Sequence, residues 1–446
     1  MNALARGVYV SFDDTDSNQG LCTTFLATEI IKEVEELDLI GYPRLVRLNP
    51  AVPWKTRGNG SLSLRFGHGA GRKTKIGNIS GRDIFCFERQ LPKEPDADEL
   101  LQRIVPILKK NRHYSSDSGI VVSEKKPSQS YYWKGVRQIV EKSDIEEELD
   151  RIGALRCSFG DGRGIIGSTC GMAWRPRDST YELITYRPKD RWGTDRLLET
   201  ESIREMDCTF PSTFNSWEER FRKVAMVPGT PCPVMYGLRG DSVEDLPKAS
   251  RLIRTEPLER SFIFLTNQGT DDHIIFHPRA LEPMSAYYIE GTVVSRRHLP
   301  GGHVVIGLET MYGTVECTAY EPSKEFRSAF EWLAFGDRIG VMGELRTEPR
   351  TINIEKMKVV QTVREIEKVS NPLCMACGRT MESVGKGKGY RCRRCGTSSK
   401  APLTKENVRW ILPGWYESPA SARRHLSKPL KRMGEEQPVE FVNSRS

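Results

Sequence analysis

Val8-Tyr9-Val10-Ser11-Phe12-Asp13-Asp14-Thr15-Asp16-Ser17-Asn18-Gln19-Gly20-Leu21-Cys22-Thr23-Thr24 is the stretch on which the reading of this chain turns. Alternation of Val8, Val10 and Phe12 predicts a half-buried strand. Leu21, Phe25, Ile30, Val34 and Leu37 mark the apolar stripe of a helix that follows. At the join stand Asp13, Asp14 and Asp16. Crowded at a strand end, these carboxylates repel one another unless a cation sits among them. Mg²⁺ carrying a nucleotide phosphate is the hard, oxygen-seeking ion that such a set suits. Thr23 and Thr24 fall where the first amides of the helix would face an anion. The simpler alternative is an acidic turn in which Asp16 or Ser17 caps the helix.

Composition narrows the class. With 446 residues, 38% hydrophobic and 28% charged, the chain should hold several domains with much polar surface. No apolar run approaches the roughly eighteen residues of a membrane span. The N-terminus leads into the first strand without a signal peptide. The eleven cysteines, an odd total with one spaced quartet, suit a reducing compartment. A cytoplasmic protein is the expectation. Net charge is +8, and the excess of lysine and arginine over acids falls mainly in the last third, which favours a polyanionic partner.

Residues 1 to about 170 alternate strand-like and helix-like stretches. Their glycine-rich segments (Arg57–Gly60, Gly67–Lys73 and Gly160–Gly167) match neither a P-loop nor a dinucleotide fingerprint, and each reads first as a turn. Between about 171 and 280, strands at Thr180–Tyr186, from Pro233 and at Ser261–Leu265 flank a helical Val243–Ile253, which allows a ferredoxin-like α+β layer. Residues 285–362 read as five strands with a helix near Phe326–Leu333, between the third and the fourth, the order of an OB-fold β-barrel. There Tyr287, Tyr288, His298 and His303 either stack bases or, for the tyrosines, fill the barrel core. Residues 370–400 contain Cys374-x2-Cys377 and, after fourteen intervening residues, Cys392-x2-Cys395. Two such knuckles make a closed, structural Cys₄ zinc ribbon. A basic tail, 401–446, has Trp410, Trp415 and Tyr416 to dock part of it, and its last ten residues are expected to be disordered.

Taken together, these features resemble a known family. The Asp13–Thr24 motif, Trp54-Lys55-Thr56-Arg57-Gly58-Asn59-Gly60, the Thr180-Tyr181-Glu182 strand and Tyr236-Gly237-Leu238-Arg239-Gly240 are similar to archaeal isoleucine-tRNA 2-agmatinylcytidine synthetases. So are the OB-like segment, the Cys₄ ribbon and Ser421-Ala422-Arg423-Arg424-His425-Leu426, in one order over nearly the whole chain.

The resemblance implies a multidomain α+β protein with a kinase-like α/β domain (1–170), a ferredoxin-like domain (171–280), an OB-fold (285–362) and a zinc ribbon (370–400). It implies an ATP- and Mg²⁺-dependent ligase that phosphorylates the C2 oxygen of the wobble cytidine in an isoleucine tRNA with a CAU anticodon. Agmatine then displaces the phosphate. The family's autophosphorylated threonine corresponds to Thr23.

In these terms Asp13, Asp14 and Asp16 hold Mg²⁺, or one of them acts as a base. Thr24, Lys55, Arg57 and Arg163 face phosphate, and Asp178, Glu182, Asp207 and Tyr236 are the agmatine candidates. The wobble base must leave its stack. The OB-fold and ribbon are expected to grip the acceptor stem or elbow, so that deleting 285–446 would spare basal ATP hydrolysis. The competing class is a non-catalytic RNA- or single-stranded-DNA-binding protein built on the OB-fold and ribbon. The acidic cluster argues against it, because nucleic-acid binders keep carboxylates away from phosphates.

Overall fold

A computed structural model describes residues 7–17, 20–55, 58–93, 95–320 and 323–438. Arg57 and residues 439–446, the greater part of the expected disordered tail, lie outside the described residues. The chain forms two units. The first takes residues up to Ile289 together with Val341–Lys356 and Glu417–Glu436; the second takes Glu290–Gly340 and Met357–Tyr416.

The first unit is built on one twelve-stranded sheet. Its strands are β1 (Val8–Asp13), β2 (Asp38–Ile40), β3 (Arg44–Arg47), β4 (Gly60–Gly67), β5 (Gly69–Ile79), β6 (Arg82–Gln90), β7 (Gly119–Ser123) and β8 (Leu155–Ser158), then β9 (Thr180–Tyr186), β10 (Thr213–Phe214), β11 (Val234–Gly240) and β12 (Arg260–Thr266). Val8, Val10 and Phe12 are fully buried, as their alternation predicts. β1 is central, antiparallel to β4 (Val10 opposite Leu64) and to β7 (Val10 opposite Val122).

Helix α1 (Thr23–Glu33) buries Phe25, Leu26, Ile30 and Ile31. Its N-cap is Cys22, whose side chain makes no capping bond, so neither Asp16 nor Ser17 serves as the cap. Glycine marks strand as well as turn here: Gly69–Lys73 lie in β5, and Gly164–Gly167 open a helix, Gly164–Ala173.

Between β9 and β12 the order is strand, helix (Thr200–Thr209), strand, strand, helix (Asp245–Leu252), strand, with neighbours β10-β11-β9-β12. That is the ferredoxin-like arrangement. β12 pairs onward with β5 and β3, so the sheet runs unbroken through the expected border near residue 170.

Five later strands, Ser285–Leu299, His303–Thr310, Gly313–Ala319, Arg338–Leu345 and Ile352–Gln361, follow the order first-second-third-fifth-fourth, and first pairs with fourth. A helix, Glu325–Glu331, separates the third from the fourth. This closure is that of an OB-fold barrel. Tyr287 is a core residue at 3% exposure, its hydroxyl bonded to Glu282, whereas His298 is exposed.

The tail is not a single basic arm. Residues from 417 onward are held in the first unit by ion pairs: Arg423 to Glu417, Arg424 to Glu344 and Glu355, Lys428 and Arg432 to Asp178. Lys356, 1% exposed on its side chain, bonds Asp271 and the Lys428 carbonyl. A deletion of 285–446 therefore cuts into the first unit, which corrects the expectation of a separable C-terminal half. Among the described residues no helix is long and apolar enough to cross a membrane.

Candidate active site

Asp13 ends β1, and its carboxylate is buried where the helix Gly164–Ala173, α2, crosses the sheet. The approach is close: a Cβ on Gly167 would lie 1.6 Å from Asp13 Oδ2. Asp14 takes a left-handed φ of 53°, and its Oδ2 accepts the Asp117 amide at 3.0 Å. Thr15 Oγ1 donates to Thr23 Oγ1 at 3.1 Å, which ties the acidic turn to the start of α1. Burial, then the neighbouring Asp14, and more weakly Asp16, push the Asp13 carboxyl up to about 8. A buried acid beside two others, on which the Arg47 charge acts more weakly than burial and the neighbouring acids, is a donor set that fits a divalent ion.

These residues open on a cavity of about 600 Å³. Its wall includes Asp13, Asp14, Asp16, Thr23, Thr24, Lys55, Arg163 and Glu182. Arg163 lies over the Trp54 ring at 4.1 Å, and its buried Nε has no hydrogen-bond partner among the described residues. Lys55 is exposed and donates to the Pro50 carbonyl.

The middle of the cavity sets an arginine against an imidazole. Arg47, from β3, and His425, from the C-terminal segment, both abut Gly58: a Cβ there would stand 2.7 Å from Arg47 Nη1 and 3.0 Å from His425 Nε2. Arg47 Nε and His425 Nδ1 are buried without partners among the described residues. Arg47 and burial, with Arg239 further off, hold His425 well below the usual imidazole range. Glu182 is 3% exposed and already engaged; Arg239 donates to Oε1 at 3.0 Å and Gln268 to Oε2 at 2.5 Å.

Three of the four agmatine candidates are elsewhere. Asp178 is held by Lys428 and Arg432. Asp207 is half-buried on the helix Thr200–Thr209, and its carboxyl is raised by burial. Tyr236 is fully buried in a separate core cluster, with its hydroxyl on Ser250 at 2.8 Å. None of the three lines the cavity; for Tyr236 the reason is that alternate residues of a strand face opposite sides of the sheet. Arg47, Arg239 and His425 are the wall residues that sequence reasoning did not single out. Arg239 and His425 sit inside quoted motifs; Arg47 has no local signal.

In the second unit the sulfurs of Cys374, Cys377, Cys392 and Cys395 lie within 4.8 Å of one another. Gly378 and Gly396, at φ 69° and 70°, let each knuckle turn back, and their amides bond the Cys374 and Cys392 carbonyls. Four converging thiolates fit a structural Zn²⁺.

Comparison with known proteins gives the same picture along the chain. Family models described as the TiaS TCKD domain, the TiaS FLD domain and the TiaS C-terminal zinc ribbon domain match residues 9–161, 162–273 and 371–411. An isoleucine-tRNA 2-agmatinylcytidine synthetase TiaS from Archaeoglobus fulgidus is 38% identical over 441 residues, covering 96% of this chain and 98% of the relative. Its counterpart from Methanocaldococcus jannaschii is 35% identical, covering 95% and 98%. The fold superposes on a crystal structure of TiaS in complex with its isoleucine tRNA and ATP, with a TM-score of 0.85 at 35% identity, over 98% of this chain and all of that one. A complex of TiaS with the tRNA, AMPCPP and agmatine gives 0.82 at 33% identity, with the same coverage. The chain belongs to the isoleucine-tRNA 2-agmatinylcytidine synthetase (TiaS) family.

Proposed function

We infer that this chain is an ATP-dependent ligase that joins agmatine to C2 of the wobble cytidine of an isoleucine tRNA, giving 2-agmatinylcytidine. The observation that carries the reading is one cavity, in a chain of this family, that gathers Asp13, Asp14, Asp16, Thr23 and the basic side chains of Arg47, Lys55 and Arg163. A non-catalytic RNA binder has no use for that combination.

The chemistry needs two displacements. Oxygen on C2 of cytosine leaves poorly until it carries a phosphoryl group; the agmatine amine then forms the C–N bond, the C–O bond breaks and phosphate departs with one proton lost. Asp13, Asp14 and Asp16 would hold Mg²⁺, which when bound neutralises phosphate charge. Thr23 lines the cavity with these acids, and its Oγ1 is held by the Thr15 hydroxyl of the acidic turn, which supports it as a phosphoryl acceptor. Arg163, Arg47 and Lys55 supply positive charge, and Thr24 lines the same wall. Glu182 remains the carboxylate of the middle segment on the cavity wall, where it balances Arg239. We read residues 1–170 as the kinase part, 171–280 as the ferredoxin-like part, and the OB-fold and ribbon as holding the tRNA.

Mass analysis of the isoleucine tRNA with a CAU anticodon, after incubation with ATP, Mg²⁺ and agmatine, tests the reading. An agmatine adduct on the wobble cytidine is the expected product. A tRNA of unchanged mass, with active protein of the same family as control, would refute it.

A further inference from the structure

Away from the cavity, four basic side chains meet without an acid. Tyr9 of β1 receives the Arg65 guanidinium over its ring at 5.4 Å and the Lys126 ammonium at 5.2 Å. Tyr9 and Arg65 are direct cross-strand partners. Arg44 Nη1 and Lys126 Nζ both donate to the Trp174 carbonyl, at 2.9 and 3.0 Å. Arg175 Nη1 reaches the carbonyls of Pro127 and Ala173, both at 3.2 Å. None of the four pairs with a carboxylate among the described residues.

A purely structural account is that these side chains cap the end of α2, whose last carbonyls they bond. A helix C-terminus offers about half a negative charge, however, against three guanidinium charges and the lysine. The basic side chains of the C-terminal segment behave differently: Arg423, Arg424, Lys428 and Arg432 each meet an acid. Burial, then Arg44, Arg175 and Arg65, bring the Lys126 ammonium down to about 6. Among the described residues no acid of the chain balances the cluster.

We propose that Arg44, Arg65, Lys126 and Arg175, gathered about Tyr9 and the Trp174 carbonyl, form a docking site for the phosphodiester backbone of RNA. β1 runs from Tyr9 here to Asp13 at the cavity, and α2 from Gly164 there to Ala173 here. Ten helical residues span about 15 Å, so the site holds the body of the RNA and not the wobble nucleotide. The choice of RNA rests on the tRNA reading above; the gathering of basic side chains does not.

The test is equilibrium binding of the unmodified isoleucine tRNA transcript to the full chain, between about 50 and 200 mM KCl. Wild type is compared with Arg175→Gln, which alters an exposed side chain, and with Lys126→Met/Arg175→Gln. The plot of log affinity against log salt should flatten by about 1 in the single variant and about 2 in the double. Phosphate beside Lys126 restores its charge, so wild type should take up a proton on binding above pH 7, and the double variant should not. Calorimetry in buffers of different ionisation enthalpy reads this. Wild-type slopes in Arg175→Gln, or in a double variant with the wild-type unfolding midpoint, overturn the site alone. A wild-type chain that does not bind the transcript overturns the tRNA reading and this site with it.

Discussion

Gly167→Ala is the sharpest probe of the acidic end of the cavity. Helix α2 lies against the sheet on small residues: a Cβ on Gly164 would meet the Gly119 amide at 2.2 Å, and one on Gly171 the Ser61 hydroxyl at 2.5 Å. At Gly167 the obstacle is Asp13 itself, 1.6 Å away, where real contacts essentially never fall below 3.0 Å. Helix or carboxylate must retreat by the difference, about 1.4 Å. Overpacking of this kind costs about 1–3 kcal/mol of stability. A displacement of about 1 Å in a reacting group costs about 100-fold in rate.

The assay is agmatine incorporation into tRNA under saturating ATP, alongside thermal unfolding. Gly171→Ala is the control, because it strains the same helix but presses on Ser61. The expected result is a loss of stability in both variants, larger in Gly167→Ala, and a loss of about 100-fold in kcat in Gly167→Ala alone. Equal rates in the two variants, or a Gly167→Ala enzyme within about threefold of wild type, would refute the placing of Asp13 at the reaction centre.

Other perturbations have equally definite outcomes. In metal-free protein Asp13 holds its proton up to about pH 8, whereas an unfolded aspartate releases it near 3.9. Between those values the folded state binds more protons, so stability should fall as pH rises, by up to about 5 kcal/mol at pH 8. Asp13→Asn should flatten the decline, and Mg²⁺ should raise the wild-type melting temperature more at pH 8 than at pH 6. Glu182→Gln leaves Arg239 without its charge partner next to Arg47 and should cost about 3–5 kcal/mol, much of it recovered in Glu182→Gln/Arg239→Met; urea unfolding measures both. Elemental analysis should find one zinc per chain. Chelation should erase hydrogen-exchange protection within 371–411 while leaving that of β1, β4 and β7 intact. Truncation after Tyr416 should abolish ATP turnover because His425 and its supporting ion pairs go with it; turnover at the wild-type rate would count against a role for the C-terminal segment.

Local patterns were legible because local physics sets them. The alternation in Val8–Phe12, the paired CxxC knuckles and the strand order of residues 285–362 each declare themselves within a short window. The carboxylate cluster was readable for the same reason, since its three acids sit within four positions. The opposite wall was not. Arg47 and His425 meet at Gly58 although 378 positions separate them in sequence, and only the tertiary fold can bring them together. Asp178, Asp207 and Tyr236 lay near suggestive motifs, but proximity in sequence says little about which side of a strand or helix a group occupies. The cationic tail misled in its own way: its charge was visible, while the acids that neutralise it are scattered through distant elements.

The segment Glu417–Glu436 completes the first unit, and it follows residues 357–416 of the second unit in the chain. A ribosome making this protein therefore finishes the catalytic compartment only after those intervening residues have been made. Nascent or prematurely terminated products retain the early strands and helices but lack the imidazole wall. Such fragments would be poor consumers of nucleotide, so a cell is spared futile hydrolysis by incomplete enzyme.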